Sequence, residues 1–252
     1  SHAKTLRKME KGRINHDAIK KAQDTVSTQP VRKTIPEVGR ISVGAKGVTA
    51  SGKEYPTSTD YFVIRSKFDT MVHARYGAQP TELPIFFYSD DFSEVCKEQL
   101  ELRDGAGKLW ATGDGENFQV WSIKLGAYMS VTIKEQPDVM EKMLDLLRKD
   151  LSQDKARLID WQQTLTVRFI IKDIPVLGYW QFTTKAVKTT IPNLRDRFDE
   201  CLEMFKTVRF FPFTLTVKKV KSNNPGQSKS YPIVDIVPAI SLETGLALAE
   251  HL

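Results

Sequence analysis

The sequence predicts an α+β fold: two β-rich regions of mainly antiparallel strands with packed helices, preceded by a basic N-terminal arm. Three observations predict it. Short runs with period-two alternation recur along the chain, as in "TLTVRFII" and "FPFTLTVKK". Glycine-rich punctuation of the kind that reverses a chain between neighbouring strands breaks these runs, as in "RDGAGK", "GDGE" and "SNNPGQS". Two segments, 137–151 and 191–206, carry a broad apolar face at helical spacing, and the first separates two runs of strands.

Residues 1–36 read as an arm or linker. Leu6, Met9, Ile14, Ala18, Ile19 and Ala22 suffice for helical turns but are too sparse for a core face, and "STQPVRKTIPEVGR" adds two prolines without periodicity. Region 37–135 opens with a glycine-bounded strand at 39–44. A loop then leads to a strand at 61–64. Gly47 to Lys53 match the GxxxxGK part of a phosphate-binding loop, but Glu54 stands where that motif needs a hydroxyl for magnesium. A turn with lysines at its tip is the expectation. Helix is expected over 66–77, ending at Gly77, followed by a buried strand in "IFFYS". In "SDDFSEVCKEQLELRD" Asp91 or Ser93 is placed to cap a helical segment containing Cys96, and Asp90 and Asp91 read as helix-start acids. A meander turning at Asp104-Gly105 and Asp114-Gly115 completes the region.

Segment 136–160 is a connecting helix with Val139, Met143, Leu146 and Leu147 on its apolar face. Region 161–252 begins with a strand in which Leu165, Val167, Phe169 and Ile171 alternate with Thr164, Thr166, Arg168 and Ile170; "GYWQFTTK" is its expected neighbour. An amphipathic helix follows, with Thr190 suited to the N-cap and Ile191, Leu194, Phe198, Leu202 and Phe205 on one stripe. The last unit is a hairpin. Phe213, Leu215 and Val217 face inward, while Thr214, Thr216 and Lys218 face out.

Composition narrows the function. At 252 residues and 40% apolar content the chain can build a substantial core, and no run of eighteen apolar residues or charged-then-apolar leader appears. Ser1-His2 reads as a cloning remnant. Cys96 and Cys201 read as buried thiols, which with the rest suits a reducing cytosol, and no His, Cys or carboxylate set has metal-ligand spacing, so neither a metal nor another cofactor is expected. Lys and Arg outnumber acids ten to four in residues 1–40, whereas residues 41–252 balance at 27 of each. The excess charge belongs to the arm.

Candidate binding residues are therefore local. Lys185 and Lys188 precede the second-region helix and are expected to join Lys218 and Lys219 in one cationic surface, with Lys221 and Lys229 around the same hairpin turn. Lysines on an edge strand also guard against sheet aggregation, which is the plainer reading of the hairpin. Arg40, Lys46 and Lys53, beside Tyr55 and with Trp110, Phe118 or Trp121 as stacking platforms, would suit a single-stranded DNA-binding protein of phage replication or recombination.

The succession "PEVGRISVG", "YPTSTDYFVI", "LPIFFYSDDFSEVCKEQLELRDGAGKLWATGDG", "GYWQFTTKAVKTTIPNLRDRF", "FPFTLTVKKVKS" and "YPIVDIVP" resembles the phage recombination directionality factor family, over roughly residues 36–238. That resemblance implies a protein without catalytic residues that binds a serine integrase in the bacterial cytosol, on the integrase's mobile coiled-coil region. It would change which attachment sites synapse, so that excision replaces integration. Auxiliary DNA contact through the arm and hairpin is expected from their charge instead. A metal-dependent hydrolase is disfavoured, because Asp90, Asp91, Asp104 and Asp114 fit turn and cap chemistry and no histidine sits among them.

Overall fold

In a computed structural model the described residues are 35–52, 54–187, 189–222, 226 and 230–251, with the side chains of Lys46, Glu54 and Pro56 left aside. The arm lies outside them up to residue 34, as do Lys53, Lys188 and Lys229. Along the chain run β1 (Glu37–Val48), β2 (Glu54–Arg65), α1 (Asp69–Tyr76), β3 (Glu82–Phe86), α2 (Phe92–Val95), β4 (Cys96–Arg103), β5 (Leu109–Gly113), β6 (Asn117–Ser122) and β7 (Ala127–Thr132). Then come α3 (Val139–Arg148), α4 (Gln153–Ala156), β8 (Gln162–Ile171), β9 (Tyr179–Thr184), α5 (Thr190–Phe205), β10 (Phe213–Lys221), β11 (Ser230–Pro238) and α6 (Leu242–Ala249). The fold is α+β.

The described strands form one branched sheet. Its longest path runs β11-β10-β3-β8-β4-β5-β6-β7, and β2-β1-β9 joins it through β8. The pairing of β1 with β9 is parallel; the other ladders are antiparallel. β8 is the hub. It pairs with β4 on one side and β9 on the other through Phe169, and its last two residues turn to β3. Its inward residues Leu165, Val167, Phe169 and Ile171 are buried almost completely, as its alternation predicts.

Two apolar clusters form beneath this sheet. The larger gathers Ile41, Phe62, Val167, Trp180, Phe182, Phe213 and Ile236 from strands across the chain, and α5 lays Ile191, Leu194, Phe198, Cys201 and Phe205 onto it. Phe198 meets Phe87 and Phe92 edge-on at centroid distances of 5.3 and 5.2 Å, the arrangement the ring quadrupoles favour. The smaller cluster joins Leu102, Ala111, Phe118, Val120 and Val131 of the meander to Val139 and Met143 of α3. Each fully buried Phe or Leu contributes about 1.5–3 kcal/mol through removal from water.

Several local expectations change. Residues 44–60, expected as a loop, largely belong to the long β1–β2 hairpin, whose polar faces hide its strand character; a register shift between Ser42 and Gly44 bends it. The segment matching a phosphate-binding loop is this hairpin's turn, with Gly52 at φ 79, and strand rather than helix follows. Cys96 opens β4 instead of lying in a helix, because α2 ends at Val95 and Cys96 pairs with Val167. Thr216, expected to face out, is 6% exposed and pairs with Asp235. β7 and α6 have weak or mixed patterns and are additions to the sequence reading.

Candidate partner-binding surface

One face of the sheet is covered by α5 and the core; the opposite face of β8, β9, β1 and β2 is mostly polar, with Val63 and Ile170 among its residues and Thr164 on it fully buried. Alternation puts Val167, Phe182, Ile41 and Ile64 inward, so their neighbours point the other way. The register then aligns Arg168 of β8, Gln181 of β9, Arg40 of β1 and Arg65 of β2 in one cross-strand row. At about 4.8 Å per strand the row spans roughly 14 Å.

The neighbouring residues set its chemistry. Thr166 and Thr183 share a hydroxyl hydrogen bond of 2.9 Å, and Lys97 of β4 pairs with Thr166. The Arg168 guanidinium lies 5.2 Å from the centroid of the Tyr179 ring, and its Nε is buried without a hydrogen-bond partner. Tyr179 therefore faces outward while its neighbour Trp180, 1% exposed, is core. Arg40 donates to Glu37 at 2.7 Å, and this contact raises the Arg40 pKa. An exposed pair of this sort contributes about 0–1 kcal/mol and exchanges partners readily. Arg65 reaches the Gly44 carbonyl at 3.4 Å.

Lys185 follows β9 on the same alternation as Gln181 and Thr183, and its ammonium donates to Gln162 Oε1 at 2.5 Å. It borders a cleft of about 380 Å³ between β1, β9, the start of α5 and β11, with Ser42, Phe182, Thr184, Thr190 and Pro232 in its wall. Thr190 does not cap α5. It lies within the first turn, 2% exposed, and its hydroxyl accepts from Val234 N–H at 3.4 Å, fastening the helix to β11, while Thr189 occupies the N-cap without a side-chain bond. Thr184 accepts from Ala186 N–H at 3.1 Å. The threonines of this stretch thus shape the chain, and Lys185 supplies the charge.

The hairpin lysines divide between faces. Lys219 pairs with Pro232 and so stands at the cleft side, with Lys221 on the same alternation; Lys218 pairs with Ile233 on the opposite side. Tyr55 is 48% exposed and its ring crosses Gly47, where a Cβ would lie 2.6 Å from it. The Lys46 backbone pairs with Pro56. Arg40 and Lys185 are brought to one face, whereas Tyr55 and Lys46 lie toward the turn of the β1–β2 hairpin.

The aspartates serve local structure. Burial would push Asp90 up, but hydrogen bonds from Val208 N–H at 2.7 Å, Arg209 N–H at 2.9 Å and the Thr207 hydroxyl at 2.8 Å hold its carboxyl below the ordinary value. Asp90 is thus a tether to the turn after α5, and Asp91 alone caps α2, through Ser93 N–H. Asp104 is held low first by the Trp110 indole N–H and then by the Lys108 and Ala106 amides; Asp114 is held low by the amides of Asn117 and Glu116. Among the described residues no group of three or more His, Cys, Asp or Glu is arranged to hold a metal ion. Of the proposed base-stacking aromatics, Phe118 is 1% exposed in the smaller core, Trp110 is engaged by Asp104, and Trp121 packs edge-on against Tyr128 at 5.2 Å. No helix among the described residues is long and apolar enough to cross a membrane.

Arg65, Lys97, Arg168 and Gln181 were not legible as a group in the sequence. Alternation shows that Arg168 faces outward, but which residues flank it depends on the parallel β1–β9 pairing. No curated protein and no solved structure matches the chain. A family profile described as Gp3-like, recombination directionality factor-like, matches residues 38–239, from the start of β1 to the end of β11. The chain belongs to this recombination directionality factor-like family.

Proposed function

We propose that this chain is a phage or mobile-element protein that binds a serine integrase in the bacterial cytosol and switches recombination toward excision, without bond chemistry of its own. The observation that carries the reading is the family match, which spans the whole branched sheet. The aspartates support it, since Asp90, Asp91, Asp104 and Asp114 are each engaged in a tether, cap or turn.

The task asked of such a protein is a population shift. Moving an integrase complex from 1:99 to 99:1 takes about 5.5 kcal/mol of differential binding, within reach of an interface burying about 1,600 Å² in total. The contact residues we assign are Arg40 and Lys185 on the open sheet face, Lys219 and Lys221 on one side of the β10–β11 hairpin and Lys218 on its other side; from the sequence alone Lys46, Lys53, Tyr55, Lys188 and Lys229 join them as candidates. The basic arm adds a weak DNA contact.

The test is recombination in vitro between the two hybrid attachment sites by the integrase of the same element, with and without this protein. Excision only in its presence is the expected result. Unchanged recombination, with tight and salt-sensitive binding to single-stranded DNA, would replace this reading with a replication or repair role.

A further inference from the structure

The row Arg65, Arg40, Gln181, Arg168 combines charge, spacing and preorganisation in a way none of its members shows alone. Three of its four positions are arginine, whose planar fork takes carboxylates two bonds at a time. Arg168 is held over Tyr179, which reduces the freedom it must lose on binding. Two acids lie close to the row: Glu37, engaged by the exposed side of Arg40, and Glu94, near the Tyr88 side chain that also meets Arg168; Glu101, on the β4 flank, is 8% exposed and bonded to Arg103 and Gln99.

Spacing selects the occupant. An extended peptide presents side chains to one side every 6.6 Å or so, which does not match strands about 4.8 Å apart. A helix presents positions i, i+3, i+7 and i+10 along one face, at rises of about 4.5, 10.5 and 15 Å. Those values match one, two and three strand spacings, so acids at i, i+3 and i+10 meet Arg65, Arg40 and Arg168, and a polar residue at i+7 meets Gln181.

Magnitude separates this from nucleic acid. Neutralising phosphates with three or four cations gives a salt slope of only about −3, against about −10 for a strong DNA binder, so backbone contact here is weak. Residues 41–252 also balance at 27 cations and 27 acids, leaving no broad positive field beyond the arm.

We propose that the open face of β2, β1, β9 and β8 is a docking site for an acidic helix of a partner protein, laid across the strands along the arginine row. It deepens the integrase reading by giving the partner segment's chemistry, and rests on that reading only for the partner's identity.

The probe is a labelled twenty-residue helical peptide with Glu at i, i+3, i+7 and i+10, measured by anisotropy against the whole protein, beside the same peptide with Gln at those positions and a 30-base-pair duplex. The expected result is binding of the Glu peptide, at least tenfold weaker for the Gln peptide and for the variant carrying Arg40→Glu and Arg65→Glu. Both substituted side chains are exposed, so the fold should persist. A Lys version of the peptide should bind that variant better than wild type, which mere misfolding cannot produce. Equal binding of Glu and Gln peptides, or no loss in the variant, overturns the proposal. So does duplex binding tighter than peptide binding and abolished by the same substitutions, which would make the face a DNA site. Excision by the whole protein is read separately: absence of stimulation with intact peptide binding sinks the integrase reading and leaves the face standing.

Discussion

Replacing Asp90 by Ala tests whether this acid is structural. The wild-type carboxylate holds Val208 N–H, Arg209 N–H and the Thr207 hydroxyl, but these donors differ in what happens when it is removed. Val208 is fully buried, so its N–H finds no water and its loss costs about 1–3 kcal/mol. Arg209 is exposed and Thr207 half-buried; water replaces most of their bond, leaving a few tenths of a kcal/mol each. The expected loss is about 2 kcal/mol, or a Tm lowered by about 4–8 °C in a chain of this size. Asp90→Asn keeps a neutral acceptor of roughly half the strength and should lose about half as much.

The assay is urea unfolding at constant m, repeated across pH. Because the folded carboxyl lies below its ordinary value, its contribution is complete above the unfolded pKa near 4 and disappears as pH falls through the lower folded value. Wild type should therefore lose stability from about pH 4 downward more steeply than Asp90→Ala. A variant within 0.5 kcal/mol of wild type at pH 7, or parallel pH profiles, would refute the tether. If such a stable variant also lost stimulation of excision, Asp90 would belong to the partner surface.

Phe198→Ala should cost about 3–5 kcal/mol, since Phe198 is 2% exposed between two other rings, while Phe198→Leu should retain much of that; equilibrium unfolding decides it. Lys218, Lys219 and Lys221 changed together to Glu should leave Tm nearly unchanged, because all three are exposed, yet weaken integrase binding; unaltered binding to both integrase and DNA removes the hairpin from the contact surface. Burial pushes the Cys96 thiol up to about 12 and raises Cys201 as well, so neither should react with a thiol reagent at pH 8 until the protein unfolds. Prompt labelling of the native protein would show that α5 or β4 opens locally.

Within single segments the sequence was a good guide, because alternation and helical spacing are local consequences of backbone geometry. β8 and α5 follow it almost residue by residue: Leu165 to Ile171 alternate inward, and the α5 stripe is buried as expected, with Cys201 taking the central place and Leu202 its flank. The meander turns at Asp104 and Asp114 were legible for the same reason, since each carboxylate bonds amides two to four residues away. Strands with polar faces, as in the β1–β2 hairpin and β7, lacked that signal.

The long-range pairings were decided only in three dimensions. Asp90 reaches across the chain to residues 207–209, and Thr190 abandons the expected cap for Val234 because a buried amide there needs an acceptor. The arginine row exists because the parallel register of β1 with β9 sets Arg40 beside Gln181, and antiparallel ladders place Arg65 and Arg168 on either side. By itself the sequence determined the α+β class, the buried stripes and the family likeness. Which charges share a face was decided by strand order and register, which the hydrophobic core fixes from positions far apart in the chain.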